Sequence, residues 1–205
     1  MTLVAACGFA LVPTVYAQDS TTIAAMDKPV TVTTAFRVLG QAVPVSLPDL
    51  AAKNKAVVLV FLANRCGVTW LYADKIAALT KRYGKPGAVA VVGVHSNYEE
   101  TDAELLAEMK RRGLTIPVLD DKKTQTLVRT FGATVTPYFV LIDAKGVLRF
   151  RGSFDKMGGS MPDAERPRYL TPALDAVLAG KPVAQKTVRA LGCGIVFRGG
   201  VSTLR

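Results

Sequence analysis

The sequence predicts an α/β protein with a mixed central sheet flanked by helices, folded as a single domain. Valine-rich apolar runs alternate along the chain with amphipathic segments of helical spacing, and this alternation is typical of a largely parallel sheet. Near its end, residues 138–143 and 147–151 flank a tight turn, which predicts a hairpin and makes the sheet mixed. The 205 residues suffice for one well-formed core and are too few for two ordinary domains.

The predicted order of elements is β-α-β-α-β-α-β-β-α. Before them, residues 36–50 contain two short extended pieces and a turn. The elements are strand 56–62, helix 67–83, strand 88–94, a helix opened by the capping box of Thr101 and Glu104, strand 116–119, helix 124–131, the hairpin, and a helix that Thr171 caps and that ends at Leu178.

Cys66 lies where the first long strand ends and its helix begins. Such a position offers free backbone N–H groups and the positive end of the helix dipole, and both stabilise a thiolate. Arg65 adds a positive charge beside it. The alternative is a small buried thiol without chemistry, which is the commoner role of a free cysteine.

The N-terminus has the composition of a secretory leader. Residues 1–17 are uncharged and mostly apolar, and residues 15–17 fit a signal-peptidase site, so we expect a signal peptide and an exported, periplasmic or secreted protein. A lipoprotein signal ending at Cys7 and an ordinary buried segment are the alternatives. Residues 18–40 are predicted to be a loosely held N-terminal arm. No apolar run is long enough to span a bilayer.

The formal net charge of +10 is unevenly distributed: residues 176–205 contain five basic residues and no acidic one, and we predict a basic C-terminal tail over residues 181–205 that carries Cys193. No nucleic-acid recognition motif accompanies this charge, so we expect a basic surface and no nucleic-acid partner. Removal of the leader leaves Cys66 and Cys193, an even number of cysteines in an exported protein, where disulfides persist.

Several of these features together resemble the thioredoxin fold: the order of elements, Cys66 at the start of the first long helix, and Thr136-Pro137 before the hairpin. The motif YFVLIDAKGVLRFRGSFD over residues 138–155 and the segment TVRALGC over residues 187–193 narrow the resemblance. They are similar to the redoxin branch that groups alkyl hydroperoxide reductase and thiol-specific antioxidant proteins with exported thiol–disulfide oxidoreductases. The resemblance covers residues 41–180. It implies a cis Pro137 against Cys66, with Thr136 and Pro137 shaping a substrate groove.

The motif around Cys66 departs from the family pattern. Thr69 stands where the thioredoxin motif has its second cysteine, so the local disulfide cannot form. Leu59 and Ala63 replace the proline and the threonine or serine of a peroxiredoxin motif. His95 is the sole histidine, and we expect it to be a loop residue or a paired residue at a strand end. No metal site is therefore predicted.

The resemblance implies a thiol-dependent oxidoreductase that needs no cofactor. In this hypothesis Cys66 attacks a protein disulfide or a hydroperoxide, Thr69 donates a hydrogen bond to its sulfur, and Cys193 resolves the product. A thiol electron donor completes the cycle. Two alternatives stay open. One is a redox-inactive binding or scaffold domain, and the other is a peroxidase of unusual motif assisted by one of three arginines, Arg129, Arg149 or Arg151.

Overall fold

The computed structural model describes residues 22–157 and 162–199. The predicted signal peptide and Cys7 lie outside the described residues. The elements are β1 (Ala35–Phe36), β2 (Val45–Ser46), α1 (Leu47–Lys53), β3 (Ala56–Leu62), α2 (Gly67–Leu71), α3 (Ala73–Tyr83), β4 (Val89–His95), α4 (Asp102–Arg111), β5 (Val118–Asp120), α5 (Thr126–Phe131), β6 (Val135–Thr136), β7 (Tyr138–Asp143), β8 (Leu148–Gly152), α6 (Leu170–Leu178) and β9 (Cys193–Gly194).

A five-stranded mixed sheet in the order β5-β4-β3-β7-β8 forms the centre of the molecule. Strand β3 pairs in parallel with β4 and antiparallel with β7, and every one of its residues is buried. Strands β7 and β8 form the predicted hairpin. The mixed sheet flanked by helices in a single domain confirms the predicted fold class.

The central strand divides the core into two halves, because successive side chains on a strand point to opposite faces. Val58, Val60 and Leu62 pack on one face, together with apolar residues of α3, α4 and α6. Leu59 and Phe61 pack on the other face, together with α1 and α5. A strand covered on both faces needs the continuous apolar sequence that β3 carries.

Three local predictions differ from the structure. The helix expected over 67–83 is divided at Tyr72, which ends α2 and precedes α3. Thr171 is not an N-cap, because α6 already begins at Leu170 and has no side-chain cap. The turn expected within residues 36–50 is instead helix α1, whose first turn is capped by the Ser46 hydroxyl, which accepts the N–H of Asp49.

The N-terminal arm is predicted to be loosely held, but its described part makes backbone hydrogen bonds with helix α5 and with strands β5 and β8. The N–H of Ala24 donates to the carbonyl of Thr130 at 2.7 Å, and the N–H of Leu39 donates to the carbonyl of Val118 at 2.8 Å. Phe36 is buried in the core. Burial of apolar side chains and backbone hydrogen bonds hold this segment in place. Neither kind of contact is indicated by its polar composition.

The described part of the basic tail also packs into the fold. Ile195 and Phe197 are buried in the same half of the core as Phe61. Within the described residues, no helix combines the length and the hydrophobicity that a membrane crossing requires.

Candidate active site

The sulfur of Cys66 is held at the first turn of α2, directly after β3. Cys66 is the N-cap of α2, and the N–H of Thr69 donates to its Sγ at 3.4 Å. Only 1% of the residue is exposed. The predicted joint between strand and helix therefore presents its thiol toward the protein interior rather than to bulk water.

The loop between β6 and β7 covers the other side of this sulfur. The Thr136–Pro137 peptide bond is cis, as the resemblance implied. Cys66 donates its S–H to the carbonyl oxygen of Thr136, with 3.0 Å between the two heavy atoms. The structure thus brings Cys66, Thr69, Thr136 and Pro137 together.

Two threonine hydroxyls beside Cys66 are buried without a hydrogen-bond partner in the described part of the chain, those of Thr69 and Thr136. A buried hydroxyl without a partner is costly. Both hydroxyls interact with the Cys66 sulfur in a way that favours its ionised form. Each hydroxyl can therefore donate a hydrogen bond to the sulfur once the thiol is ionised, because the thiolate is the acceptor that the hydroxyl lacks.

The second cysteine reaches the same place through a strand pairing. Strand β9 runs antiparallel to β6, so that Cys193 lies opposite Thr136 and Gly194 lies opposite Val135. Cys66 and Cys193 border the same cavity, and the two thiols influence each other's ionisation. Both cysteines are free thiols, Cys66 buried and Cys193 half-buried.

The electrostatics of the two thiols differ. Burial opposes ionisation of Cys66, but its interactions with Cys193, Thr136 and Thr69 outweigh burial and lower the pKa of Cys66. Burial and the neighbouring Cys66 sulfur together raise the pKa of Cys193. Cys66 is therefore the thiol that ionises first.

Glu100 is a site residue that sequence reasoning missed. Its buried carboxylate accepts the backbone N–H groups of Asn64 at 2.5 Å and Arg65 at 2.8 Å, and so fixes the turn that leads into Cys66. Burial opposes its ionisation, but the contact with His95 and these backbone donors prevail and lower the pKa of Glu100. No motif marks it, because its partners are backbone atoms far away in sequence.

The remaining predicted residues lie around this turn. His95 is the last residue of β4 and is fully buried, with its Nε2 3.5 Å from Glu100 and its Nδ1 3.4 Å from Asp102. Neither ring nitrogen has a hydrogen bond among the described residues. The exposed guanidinium of Arg65 lies 3.7 Å from Glu104.

A cavity of about 200 Å³ adjoins both cysteines. Its wall includes side chains of Arg65, Asn97 and Glu100. In the described part of the chain, no group of three or more histidine, cysteine or acidic residues is arranged to hold a metal ion.

The three arginines considered for peroxide assistance have other partners. Arg129 stacks on the ring of Phe197 at 5.1 Å. Arg149 pairs with Asp143 at 2.8 Å, and Arg151 donates to the carbonyl of Ala24 at 3.2 Å. None of the three lines the cavity beside Cys66.

The fold, with a cysteine at the strand–helix joint facing a cis-proline loop, defines a thioredoxin-like redoxin. The chain belongs to the AhpC/TSA family, whose model matches residues 28–151. Membership of this family supports a thiol-dependent oxidoreductase. No curated protein matches the chain.

Solved structures are similar over most of the chain. A hypothetical protein from Sinorhizobium meliloti 1021 is 29% identical, with a TM-score of 0.73, covering 87% of this chain and 98% of its own. An uncharacterized conserved protein from Geobacillus kaustophilus is 25% identical, with a TM-score of 0.74, covering 86% and 94%. A secreted disulfide oxidoreductase from Mycobacterium tuberculosis shares the fold at 18% identity, with a TM-score of 0.53, covering 70% and 96%.

Proposed function

We propose that the protein is an exported thiol oxidoreductase that cycles between a Cys66, Cys193 dithiol and a Cys66–Cys193 disulfide. One observation carries the proposal. The pairing of β9 with β6 puts Cys193 opposite Thr136, whose carbonyl oxygen accepts the Cys66 thiol, and both cysteines border one cavity; this supports a disulfide between them. Cys193 thereby takes the role that the second cysteine of a thioredoxin motif has, from a distant part of the chain.

The cycle begins with attack by the Cys66 thiolate on an oxidant. With a disulfide substrate, the Cys66 sulfur bonds to one substrate sulfur and the other leaves as a thiolate. With a hydroperoxide, the O–O bond breaks, the alcohol or water leaves, and Cys66 becomes a sulfenic acid. Cys193 then attacks the Cys66 sulfur and expels the bound thiol or water. Two electrons have passed from the protein to the substrate in either case.

Return to the dithiol requires an external thiol donor. With both thiols free, Cys66 is buried and Cys193 is half-buried, so Cys193 is the residue that an external donor reaches more easily. Cys66 is also the better leaving group, because a thiol of lower pKa leaves faster. The donor therefore attacks Cys193, and a second thiol of the donor then releases it.

Export fits this chemistry, because disulfides persist outside the cytoplasm. The predicted leader over residues 1–17 supports it. The secreted disulfide oxidoreductase of similar fold is consistent with it.

Peptide mass spectrometry under non-reducing conditions tests the proposal. The reduced protein is treated with a mild oxidant, remaining thiols are alkylated, and the digest is analysed. We expect a peptide pair linked through Cys66 and Cys193, absent from the Cys193→Ser variant. Two fully alkylated thiols after oxidation would overturn the proposal and leave either a monothiol exchanger or a binding domain without redox turnover.

A further inference from the structure

The groove predicted for substrate at Thr136 and Pro137 is already occupied by the chain itself. Strand β9 covers the β6 edge, with Cys193 opposite Thr136. An extended polypeptide that binds by strand addition needs a free edge with unpaired N–H and C=O groups. The β6 edge beside Cys66 is already paired with β9.

The approach of the tail to this edge is too close for any residue but glycine. A Cβ added to Gly192 would lie 2.0 Å from the carbonyl oxygen of Thr136, the same oxygen that accepts the Cys66 thiol. A Cβ added to Gly194, two residues further on, would meet no atom within 4 Å. Alanine in place of Gly192 should therefore displace the strand from β6, whereas alanine in place of Gly194 should change the strand's composition without displacing it.

The strand is anchored on both sides of Cys193. Before it, Val188 pairs with the backbone of Arg151 in β8. After it, the N–H of Ile195 donates to the carbonyl of Thr134 at 2.9 Å, and the side chain of Ile195 is 1% exposed. The side-chain amide of Gln125 donates a hydrogen bond to the carbonyl oxygen of Val196 at 3.0 Å. Burial and hydrogen bonds of this kind keep a segment closed under native conditions.

We propose, resting on the function proposed above, that β9 is a specificity-determining strand that closes Cys66 to polypeptide disulfides and admits only small two-electron oxidants. These oxidants are hydroperoxides or low-molecular-weight disulfides that fit the cavity of about 200 Å³ beside the sulfur. The O–O or S–S bond of the oxidant breaks as Cys66 attacks, and the alcohol, water or thiol departs through the same cavity. Polypeptide partners meet the half-buried sulfur of Cys193 instead.

The test compares two disulfides of equal chemistry and different size in a Cys193→Ser background, where reaction at Cys66 is a single step. One is 2-hydroxyethyl disulfide, and the other is an unstructured peptide whose cysteine carries the same mercaptoethanol group. The rate at Cys66 is followed by site-resolved mass spectrometry and divided by the rate with free cysteine. Hydrogen peroxide is a third reagent, which distinguishes a hydroperoxide substrate from a small disulfide.

We expect the normalised rate with the small disulfide to exceed that with the peptide by at least about tenfold, as for a site that needs local opening. We expect Gly192→Ala, added to this background, to raise the rate with the peptide at least about tenfold, because the substitution displaces β9 from β6. Adding Gly194→Ala instead leaves the peptide rate low. If Gly192→Ala loses its circular dichroism signal, Ile195→Ala is used to loosen the strand.

Equal normalised rates for the two disulfides would overturn the inference. So would a variant in which β9 is displaced but the rate with the peptide does not rise. These outcomes are independent of resolution by Cys193, which the background variant lacks. Failure of the wild-type protein to form the Cys66–Cys193 disulfide would overturn the proposed function while the size discrimination at Cys66 stays measurable. The two failures are therefore distinguishable.

Discussion

In the proposed cycle, the chemistry depends on the immediate neighbours of the Cys66 sulfur. Thr69 and Thr136 contribute hydroxyls that have no partner among the described residues while Cys66 is protonated. Each can donate a hydrogen bond to the thiolate. The site is thus better matched to the ionised thiol than to the neutral one, although the sulfur is buried.

This match predicts the effect of removing one hydroxyl. In Thr69→Val, we expect the pH profile of Cys66 alkylation by iodoacetamide to move to higher pH, and the rate at neutral pH to fall about threefold to tenfold, since a hydrogen bond to a charged group is lost. Thr69→Ser keeps the hydroxyl and is the control, with a profile close to that of the wild type. An unshifted profile for the valine variant would show that the hydroxyl does not reach the thiolate.

At the scale of elements, a buried carboxylate fixes the point where α2 ends and α3 begins. Asp155 follows β8 and is fully buried. It accepts hydrogen bonds from the Tyr72 hydroxyl, from Lys75 at 2.6 Å and from Arg168 at 2.7 Å. Burial and the bond to Asp155 raise the pKa of Tyr72, so the phenol remains a donor in alkaline solution as well. Three segments of the chain meet at this carboxylate.

Asp155→Ala should therefore be strongly destabilising. We expect a loss of about 3–5 kcal/mol in the free energy of unfolding, measured with urea, because two cations and a buried hydroxyl lose their shared partner. Asp163 is a matched control, since it pairs with the same Lys75 and Arg168 but is half exposed. Asp163→Ala should cost much less because water screens its ion pairs. Equal losses for both variants would contradict this account.

At the scale of the whole molecule, the two cysteines connect the central strand to the C-terminal segment. Cys66 follows β3 in the middle of the sheet, whereas Cys193 lies in the last strand described. A disulfide between them closes most of the chain into one loop. Cross-links of this kind stabilise mainly by removing conformations from the unfolded state.

The oxidised protein should consequently be more stable than the reduced one. The chain-entropy estimate for a loop of this size is about 4–5 kcal/mol, and stabilisation of the Cys66 thiolate in the folded dithiol reduces the difference. Urea unfolding with and without a reductant measures it as a shift of the midpoint. Cys193→Ser should show no dependence on the reductant. Identical midpoints for a verified disulfide and the dithiol would contradict the prediction.

Much of the fold and the position of Cys66 follow from local sequence. The apolar run of β3 has the predicted bounds, residues 56–62, because a strand buried on both faces needs uninterrupted hydrophobicity. The capping box of Thr101 and Glu104 is present with both of its hydrogen bonds. Cys66 could be located because it interrupts these patterns at their junction.

The rest of the site depends on contacts between distant segments. Glu100 holds the backbone of residues 64 and 65, and a backbone partner leaves no mark in the sequence. Strand β9 has two residues, too few for any alternation to appear. The basic composition of the tail also concealed the burial of Ile195 and Phe197.

The sequence by itself thus determined the alternation of strands and helices and the position of Cys66 at the end of β3, because hydrophobic periodicity and capping are local properties. Only the tertiary structure decided that the C-terminal segment returns to β6, brings Cys193 to Cys66 and fills the predicted groove. The reason is physical: pairing of a short strand is selected by the edge it meets and by the core that receives its neighbours, and neither is encoded within the strand.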